Sequence, residues 1–573
     1  MKARYQYLII LIMAVCFTAC KKTNTHGRLI PEDAAFVVQV DGKSLLSKLS
    51  WNEIKDNQLF QAMYSDSNLQ ATVKKLLSDP EKAGIDIHND LLFFSKKDST
   101  GGYIAIEGSV KDAALLKTFN TEINNNGSAN ESDGVNYISH APLCAGWNNE
   151  KFVYVIDARG LKGMDELSRR MMNDSIDVYK HMPRDISATC KAVFTLKESN
   201  SLAQDEKFTK LMKQPGDVRL WINSEALSGS AVGMAAMVNL DKLYKGNITT
   251  FAASFDNGKI TMNGHSYAGE DLTKLYKKYG GGKVNEDMLK RIPGKEMIAV
   301  AALNFKPEGI KEFLKMLGLD GLANVGLTKA LGFGMDDFIK ANKGDIAFGI
   351  SDLQLKTDTS TKNTDPDNDL PVHSRMKPDF NFIFSASIGD KDAFNKLINA
   401  GKKLGGEFVN DKNLPMAYNS NGNYFVISNT KENADKYLSG ANAGNDFISK
   451  ISGQAFGAFV NIQAAMKPFV NEASKDSVDK AMYDATLKMW DNVLWKGGDI
   501  EDGAITQNIE INLLDKTTNS LKQLNQYTSE LGKLQKEKQK KQQEDIMAFE
   551  DAMSPGSLKD TSVYPPVSHS KEK

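Results

Sequence analysis

An excess of charge of either sign is missing from this chain. Lys and Arg number 71 against 72 Asp and Glu, which leaves a formal net charge of −1 over 573 residues. There is no basic surplus to neutralise a phosphate backbone and no acidic field to gather cations, so no nucleic-acid partner is expected. Long hydrophobic runs are scarce as well. Ala226 to Leu240 is apolar but falls short of the roughly 18 residues that mark a membrane-spanning helix, and reads as a buried helix. Cysteine is sparse, four in all, and the seven histidines show no pair at helix-ligand spacing, so no metal and no other cofactor is expected. There is no Gly-x-Ser-x-Gly elbow and no thiol-nucleophile signature around Cys144, so no catalytic residue is nominated. Gly280-Gly281-Gly282-Lys283 lacks the hydroxyl residue and the upstream glycine of a phosphate loop and reads as a helix stop. With 41% hydrophobic and 25% charged residues, the chain is able to bury a sizeable core.

The N-terminus carries the strongest signal. Lys2 and Arg4 precede an unbroken apolar stretch, Leu8 to Phe17, and Phe17-Thr18-Ala19-Cys20 closes it with small residues before a cysteine. About ten apolar residues are too few to cross a hydrocarbon core about 30 Å thick, but they suit a secretion signal. The segment resembles a bacterial lipoprotein signal. That resemblance implies cleavage after residue 19, with Cys20 becoming the first mature residue and carrying lipid, palmitate included, on its sulfur and amino group. Lys21-Lys22-Thr23-Asn24 lacks the aspartate of inner-membrane retention signals and the acidic cluster of surface-exported lipoproteins. The resemblance therefore implies an outer-membrane anchor facing the periplasm. Cys16 would leave with the signal, so Cys144 and Cys190 remain. A disulfide is open to them in an oxidising compartment, but their strand-like, apolar contexts favour two buried free thiols.

The mature chain, 573 − 19 = 554 residues, reads as a tandem duplication. Ile30-Pro31 with the strand Ala35 to Val40 has a counterpart in Ile292-Pro293 with Met297 to Leu303. Asp90 to Phe94 matches Asp345 to Gly349, and Tyr103 to Ile106 matches Phe382 to Ser385. Leu143 to Asp157 aligns without a gap on Pro415 to Asn429, which places Phe152 to Val155 on Tyr424 to Ile427. Val218 to Asn223 resembles Phe456 to Asn461, and each leads into a helix pattern. Two hairpins are expected at Asp256-Asn257-Gly258 and Asp502-Gly503, in type I′ turns. The expected fold class is α+β, each copy made of largely antiparallel sheets with helices layered on a face.

The expected boundaries are a signal at 1–19, a tether at 20–27, and two units in copy one at 28–183 and 184–283. Copy two comes next with units at 284–445 and 446–534, then a polar helix at 535–553 and a disordered tail at 554–573. Thr357 to Pro378 replaces a short loop of the first copy and reads as a solvated insertion.

Trp147, beside Asn148-Asn149, and Trp495, beside Gly497-Gly498, sit next to turn signals and are the candidate binding residues. The Ile30-Pro31-Glu32-Asp33-Ala34 opening after a lipobox is similar to that of the large uncharacterised lipoproteins of Bacteroides-type bacteria, a domain of unknown function. That resemblance implies an address and no activity. Two functional classes remain in play. One is a non-catalytic lipoprotein that binds or assembles a partner protein or glycan of the envelope; the other is an envelope hydrolase whose site is dispersed in sequence.

Overall fold

The computed structural model describes residues 27–553 apart from 66–70, 99–100, 125, 159–184, 229–238, 322–325, 327, 330–331, 359–374, 405–415 and 441–445. Cys20 with the signal and nearly all of the tether, most of the 357–378 insertion, the middle of the apolar run 226–240 and the tail lie outside the described residues.

The first half of the chain contributes eleven of the described strands. They are β1 (Phe36–Asp41), β2 (Ile85–Asp86), β3 (Asp90–Lys96), β4 (Tyr103–Val110), β5 (Asn130–Ser132), β6 (Val135–His140), β7 (Leu143–Trp147), β8 (Lys151–Asp157), β9 (Val218–Asn223), β10 (Ile248–Asp256) and β11 (Lys259–Tyr267). The second half contributes β12 (Met297–Asn304), β13 (Asn342–Asp358), β14 (Arg375–Ile388), β15 (Ala417–Ser420), β16 (Tyr424–Ser428), β17 (Phe456–Asn461), β18 (Trp490–Glu501) and β19 (Ala504–Leu513). All pair antiparallel in one sheet. Its spatial order is β5-β6-β7-β8-β4-β3-β1-β9-β10-β11-β19-β18-β17-β12-β13-β14-β16-β15, with β2 beside the end of β4.

Register is set by these pairings. One row of partners runs inward through Cys144, Val155, Ala105, Phe94, Val37, Trp221, Thr250 and His265. Another runs inward from the opposite side through Ala417, Ser428, Ile383, Gly349, Val300, Phe459, Leu494 and Glu510. The two meet where β11 pairs with β19, Lys259 opposite Asn512 and Ser266 opposite Ile505.

Local chemistry sets the corners. Strands run directly into helices where an Asx side chain caps the first turn: Asp41 accepts from the Ser44 N–H at 2.8 Å, Asn223 from Ala226 at 3.1 Å and Asn461 from Ala464 at 3.0 Å. Both expected hairpins form. At Asp502-Gly503 both residues have positive φ, 48° and 80°, as a type I′ turn requires. At Asn257-Gly258 only the glycine does, at 66°, so this turn is not type I′. There the Gly258 N–H donates to the Thr518 carbonyl, and a Cβ would lie 2.4 Å from Lys516 Cα.

Because side chains alternate across a strand, each row belongs to one face. On the first face, Val37, Phe94, Val155 and Trp221 pack under the helices Ser187–Phe194 and Glu206–Lys213, with Phe208 edge-on to Trp221 at 5.6 Å. Further along that face, Val300, Ala347, Ile383 and Val426 are buried with Met288, Tyr437 and Ile448 of three helices. On the second face, helices cover the far ends and flank the middle, where Glu270–Tyr279 and Glu308–Met316 stand over Leu303 and Phe456 and Tyr527 of Ser520–Met553 meets Trp490 edge-on. Leu116 and Phe119 of Ala113–Ile123 pack on Phe152 and Tyr154 at one end. Phe394 of Lys391–Leu404 packs with Ala341 and Ile388 at the other.

Two expectations are corrected. The strand-like stretch around Cys190 is the helix Ser187–Phe194, because Ile186, Cys190 and Val193 fall at three- and four-residue spacing and all face the core. Trp147 is not at the surface but 1% exposed, in the core under Ala113–Ile123. Cys144 and Cys190 are both free and buried.

The helices after the two central strands cross over. Glu270–Tyr279, after β11, packs beside Glu308–Met316, which comes after β12: Gly309 sits against the Tyr279 ring, and Lys306 Nζ donates to the Lys278 carbonyl at 3.1 Å. Ser520–Met553, after β19, packs on helices that come after β1. Asn57 Nδ2 donates to the Asn525 carbonyl at 2.8 Å, and the Gln58 N–H to Ser529 Oγ at 3.1 Å.

Candidate functional site

An antiparallel sheet usually turns an apolar face to a core and a polar face to water. In the centre of this sheet the helix-covered and apolar faces separate. On the first face, β10, β11, β19 and β18 carry Thr250, His265, Asn263, Asn508, Lys496 and Glu510. Asn508 Nδ2 donates to Asn263 Oδ1 at 2.9 Å across the central pair. On the second face the same strands are apolar except for Thr249, Ser266 and Gln507 at one side.

Two adjacent rows on that second face contain no polar side chain across eight strands. The first is Ala253, Met262, Ile509, Trp495, Ala458, Ala301, Phe348 and Phe384; the second is Phe255, Ile260, Ile511, Val493, Val460, Ala299, Ile350 and Phe382. Eight strands at ~4.8 Å spacing and a few residues at ~3.3 Å rise give the two rows a footprint on the order of 500–700 Å², only part of it open, since Ile260 is buried and most of the other side chains are half-buried. Phe348 is 37% exposed, Val460 39%, Leu303 40% and Trp495 43%. Exposed aromatic and aliphatic side chains grouped within one apolar band mark a binding face.

Trp495 stands at the middle of this band. Its register partners are Ala458 and Ile509, and its ring meets Phe456 edge-on at 4.9 Å. Phe456 and Leu303 also form part of the wall of a cavity of about 250 Å³ that runs under the helix pair Glu270–Tyr279 and Glu308–Met316. The two candidate tryptophans are thus not brought together. Trp495 is part of the exposed band, whereas Trp147 is core.

One cluster of acid–base groups lies between Trp51–Lys55 and the long C-terminal helix, where Glu53, Asp56, Lys522, Glu530 and Lys533 line a polar cavity of about 620 Å³. Glu53 is engaged as a helix cap. Its carboxylate accepts from Ser50 Oγ at 2.7 Å and the Ser50 N–H at 2.8 Å and pairs with Lys522 at 3.1 Å, which together hold its pKa at about 2 against the ordinary 4.5. A carboxylate held that low is an anion near neutrality and does not serve as a general acid. The folded pKa is depressed, so the stability it contributes is present above pH 4.5 and lost as pH falls towards about 2. Glu53→Gln is expected to flatten the pH dependence of the unfolding midpoint across that window, as acid titrations of the two proteins by circular dichroism would show. Among the described residues, no group of three or more His, Cys, Asp or Glu is placed to hold a metal ion, and no helix is long and apolar enough to cross a membrane.

A family model described as a domain of unknown function (DUF4836) matches residues 26–363, more than half of the chain. The chain belongs to this family. The DUF4836 match spans β1 to β13 and so takes in the first-half strands of the apolar band and part of the second, while Trp495 lies beyond it. No curated protein and no solved structure matches the chain.

The apolar band itself was missed in the sequence. Its signal was present in β10, where Phe251, Ala253 and Phe255 alternate with Thr250, Ala252 and Ser254, but its extent depends on β11 lying beside β19, far away in the chain.

Proposed function

We propose that this protein is a lipid-anchored, non-catalytic binding protein of the bacterial envelope, built by tandem duplication, whose apolar sheet face docks a partner protein. The observation that carries the docking reading is the two-row apolar band with Trp495 at its centre. A flat band rather than a deep cleft suits a protein surface, and an exposed tryptophan amid aliphatic side chains is the usual composition of an energetic anchor. A glycan is the poorer fit, because the cross-strand neighbours of the Trp495 ring, Ala458 and Ile509, carry no hydrogen-bonding group for sugar hydroxyls. The anchor and the periplasm-facing outer-membrane address rest on Phe17-Thr18-Ala19-Cys20 and on Lys21-Lys22-Thr23-Asn24 directly after it.

What supports the duplication is the match of strand order and register. Leading away from the central pair, β11-β10-β9-β1-β3-β4-β8-β7 corresponds to β19-β18-β17-β12-β13-β14-β16-β15, and the two rows through Val37 and Val300 pair strand for strand. The register refines the sequence match by one residue: Val155 corresponds to Ser428 and Phe152 to Phe425. An experimental structure that put Val155 and Ser428 in non-corresponding rows would remove this support.

The docking reading is tested by placing a photo-reactive residue at Phe348 or Val460 in the full chain within intact cells. Both positions are expected to trap the same protein, and Trp495→Asp is expected to reduce the yield at least tenfold, the scale of a hot-spot loss. Crosslinks only to lipid, only to a second copy of this chain, or undiminished by Trp495→Asp would overturn it.

A further inference from the structure

A second apolar feature adjoins the band at the β15 end of the sheet and shares Phe384 with it. Between the second face and the helices Met335–Ala341 and Lys391–Leu404 is a cavity of about 420 Å³. Phe338, Ile346, Phe384, Phe394, Ile398 and Phe425 form its walls, and among the described residues no charged side chain lines it. Met416 and Tyr418, also in the lining, are 52% and 45% exposed and stand at its mouth.

The corresponding place in the first half is solid. In the shared strand register, Phe425 corresponds to Phe152, Ile427 to Tyr154 and Phe384 to Ile106, and those residues of the first half pack with Trp147, Ile138 and Leu116. The counterpart of Trp147 is Ser420, and Ile138 belongs to β6, a strand with no counterpart among the described residues of the second half. The tryptophan that helps close the first-half core is thus a serine in the second, and the walls have kept their aromatic and aliphatic character. Folded proteins do not leave apolar space of this size empty without a large loss of packing energy, and its volume falls within the ~300–1,000 Å³ of small-molecule sites.

We propose that this cavity is a binding site for one unbranched aliphatic chain, the acyl chain of a fatty acid or of a lipid. None of the described lining residues is charged, so an ionic group buried there would lack a partner, which is costly. A flexible chain fits an irregular aromatic and aliphatic wall, and a headgroup would stay in water beside Met416 and Tyr418. This site shares only Phe384 with the Trp495 band, at the band's edge, and its test reads ligand binding apart from partner docking.

The test uses the full chain carrying Cys20→Ala, which removes the acyl chains expected at its own anchor, and a dansyl-labelled undecanoic acid as the probe. Saturable binding of one probe per chain is expected. In displacement by saturated fatty acids from C8 to C18, affinity should rise about fourfold per added methylene until the cavity is full and then level off. Gly401→Trp is the blocking variant, because Gly401 lines the cavity and a Cβ there meets nothing within 4 Å. It should weaken the probe at least tenfold without reducing crosslinking from the Phe348 position. Met416→Asp, at an exposed site, should weaken it in the same direction. A second arm offers radiolabelled phosphatidylcholine vesicles. Transfer to the protein that is blocked by Gly401→Trp supports a chain still attached to a lipid, and binding of the free acid alone supports a fatty acid. No saturable binding in either arm, or binding unaffected by both variants, would overturn the proposal.

Discussion

Asp217→Ala should destabilise the protein by about 3–5 kcal/mol, the usual loss when one partner of a buried ion pair is removed. Asp217 is 2% exposed. Both its oxygens are occupied: Oδ1 accepts from Ser44 Oγ at 2.5 Å and Lys48 Nζ at 2.7 Å, and Oδ2 from Lys48 Nζ at 2.6 Å and the Phe255 N–H at 2.6 Å. One carboxylate thus pins the helix Gly42–Lys48 to the end of β10, just before the Asn257-Gly258 turn that the chain leading to the last helix closes. Alanine leaves a largely buried ammonium and a strand N–H without their acceptor. Lys48→Met alone should also destabilise, since it strands the carboxylate, whereas Asp217→Leu with Lys48→Met should recover a good part of the loss. Urea unfolding of the four proteins measures this. Equal stability of Asp217→Ala and the parent would show that the pair contributes nothing.

The second large effect is all-or-none. Cys20→Ala should abolish incorporation of radioactive palmitate and shift the protein out of the membrane fraction or leave it as an unprocessed precursor. The expectation rests on acyl chains contributing about 0.8 kcal/mol per buried CH₂, so that several of them anchor effectively for good while the protein without them has only a short apolar signal. Undiminished palmitate labelling of the variant would show that the lipid is carried elsewhere.

Much of the fold was legible in the sequence, because the features that specify it are local. The strands at 36–41, 90–96, 103–110 and 151–157 announce themselves by apolar runs bounded by turn residues, and Asp502-Gly503 forms the turn that its composition demands. The likeness of distant segments on which the proposed duplication rests was legible too, but only to within a residue. A register shift between Met297 and Ala299 moves β12 one position relative to Ile292-Pro293, and alternation makes that single step exchange the two faces. What was not legible depends on packing. Beside Asn148-Asn149, Trp147 looks like a turn residue, yet Ile138 and the helix Ala113–Ile123 enclose it. Cys190 has apolar neighbours that suit either a strand or a helix, and only the helix brings Ile186, Cys190 and Val193 together. The apolar band is assembled from β10 and β11 of one half and six strands of the other, so no single window of sequence contains it.

The crossed helices have a consequence for how such a chain could arise. β11 meets β19 so that His265 lies opposite Thr506 and Thr261 opposite Glu510, and the helix after each strand reaches across to the helices behind the other half's first strand. If His265 and Glu510 are equivalent positions, as the strand rows make them, this contact maps onto itself under a half-turn. A chain ending after Glu270–Tyr279 would therefore carry a self-complementary edge, and two such chains would close the same sheet as an isologous homodimer, each lending its last helix to its neighbour. Fusion of that dimer into one polypeptide frees each half to change alone, which is the condition under which one end of the sheet could keep its tryptophan and the other exchange it for a serine and a void.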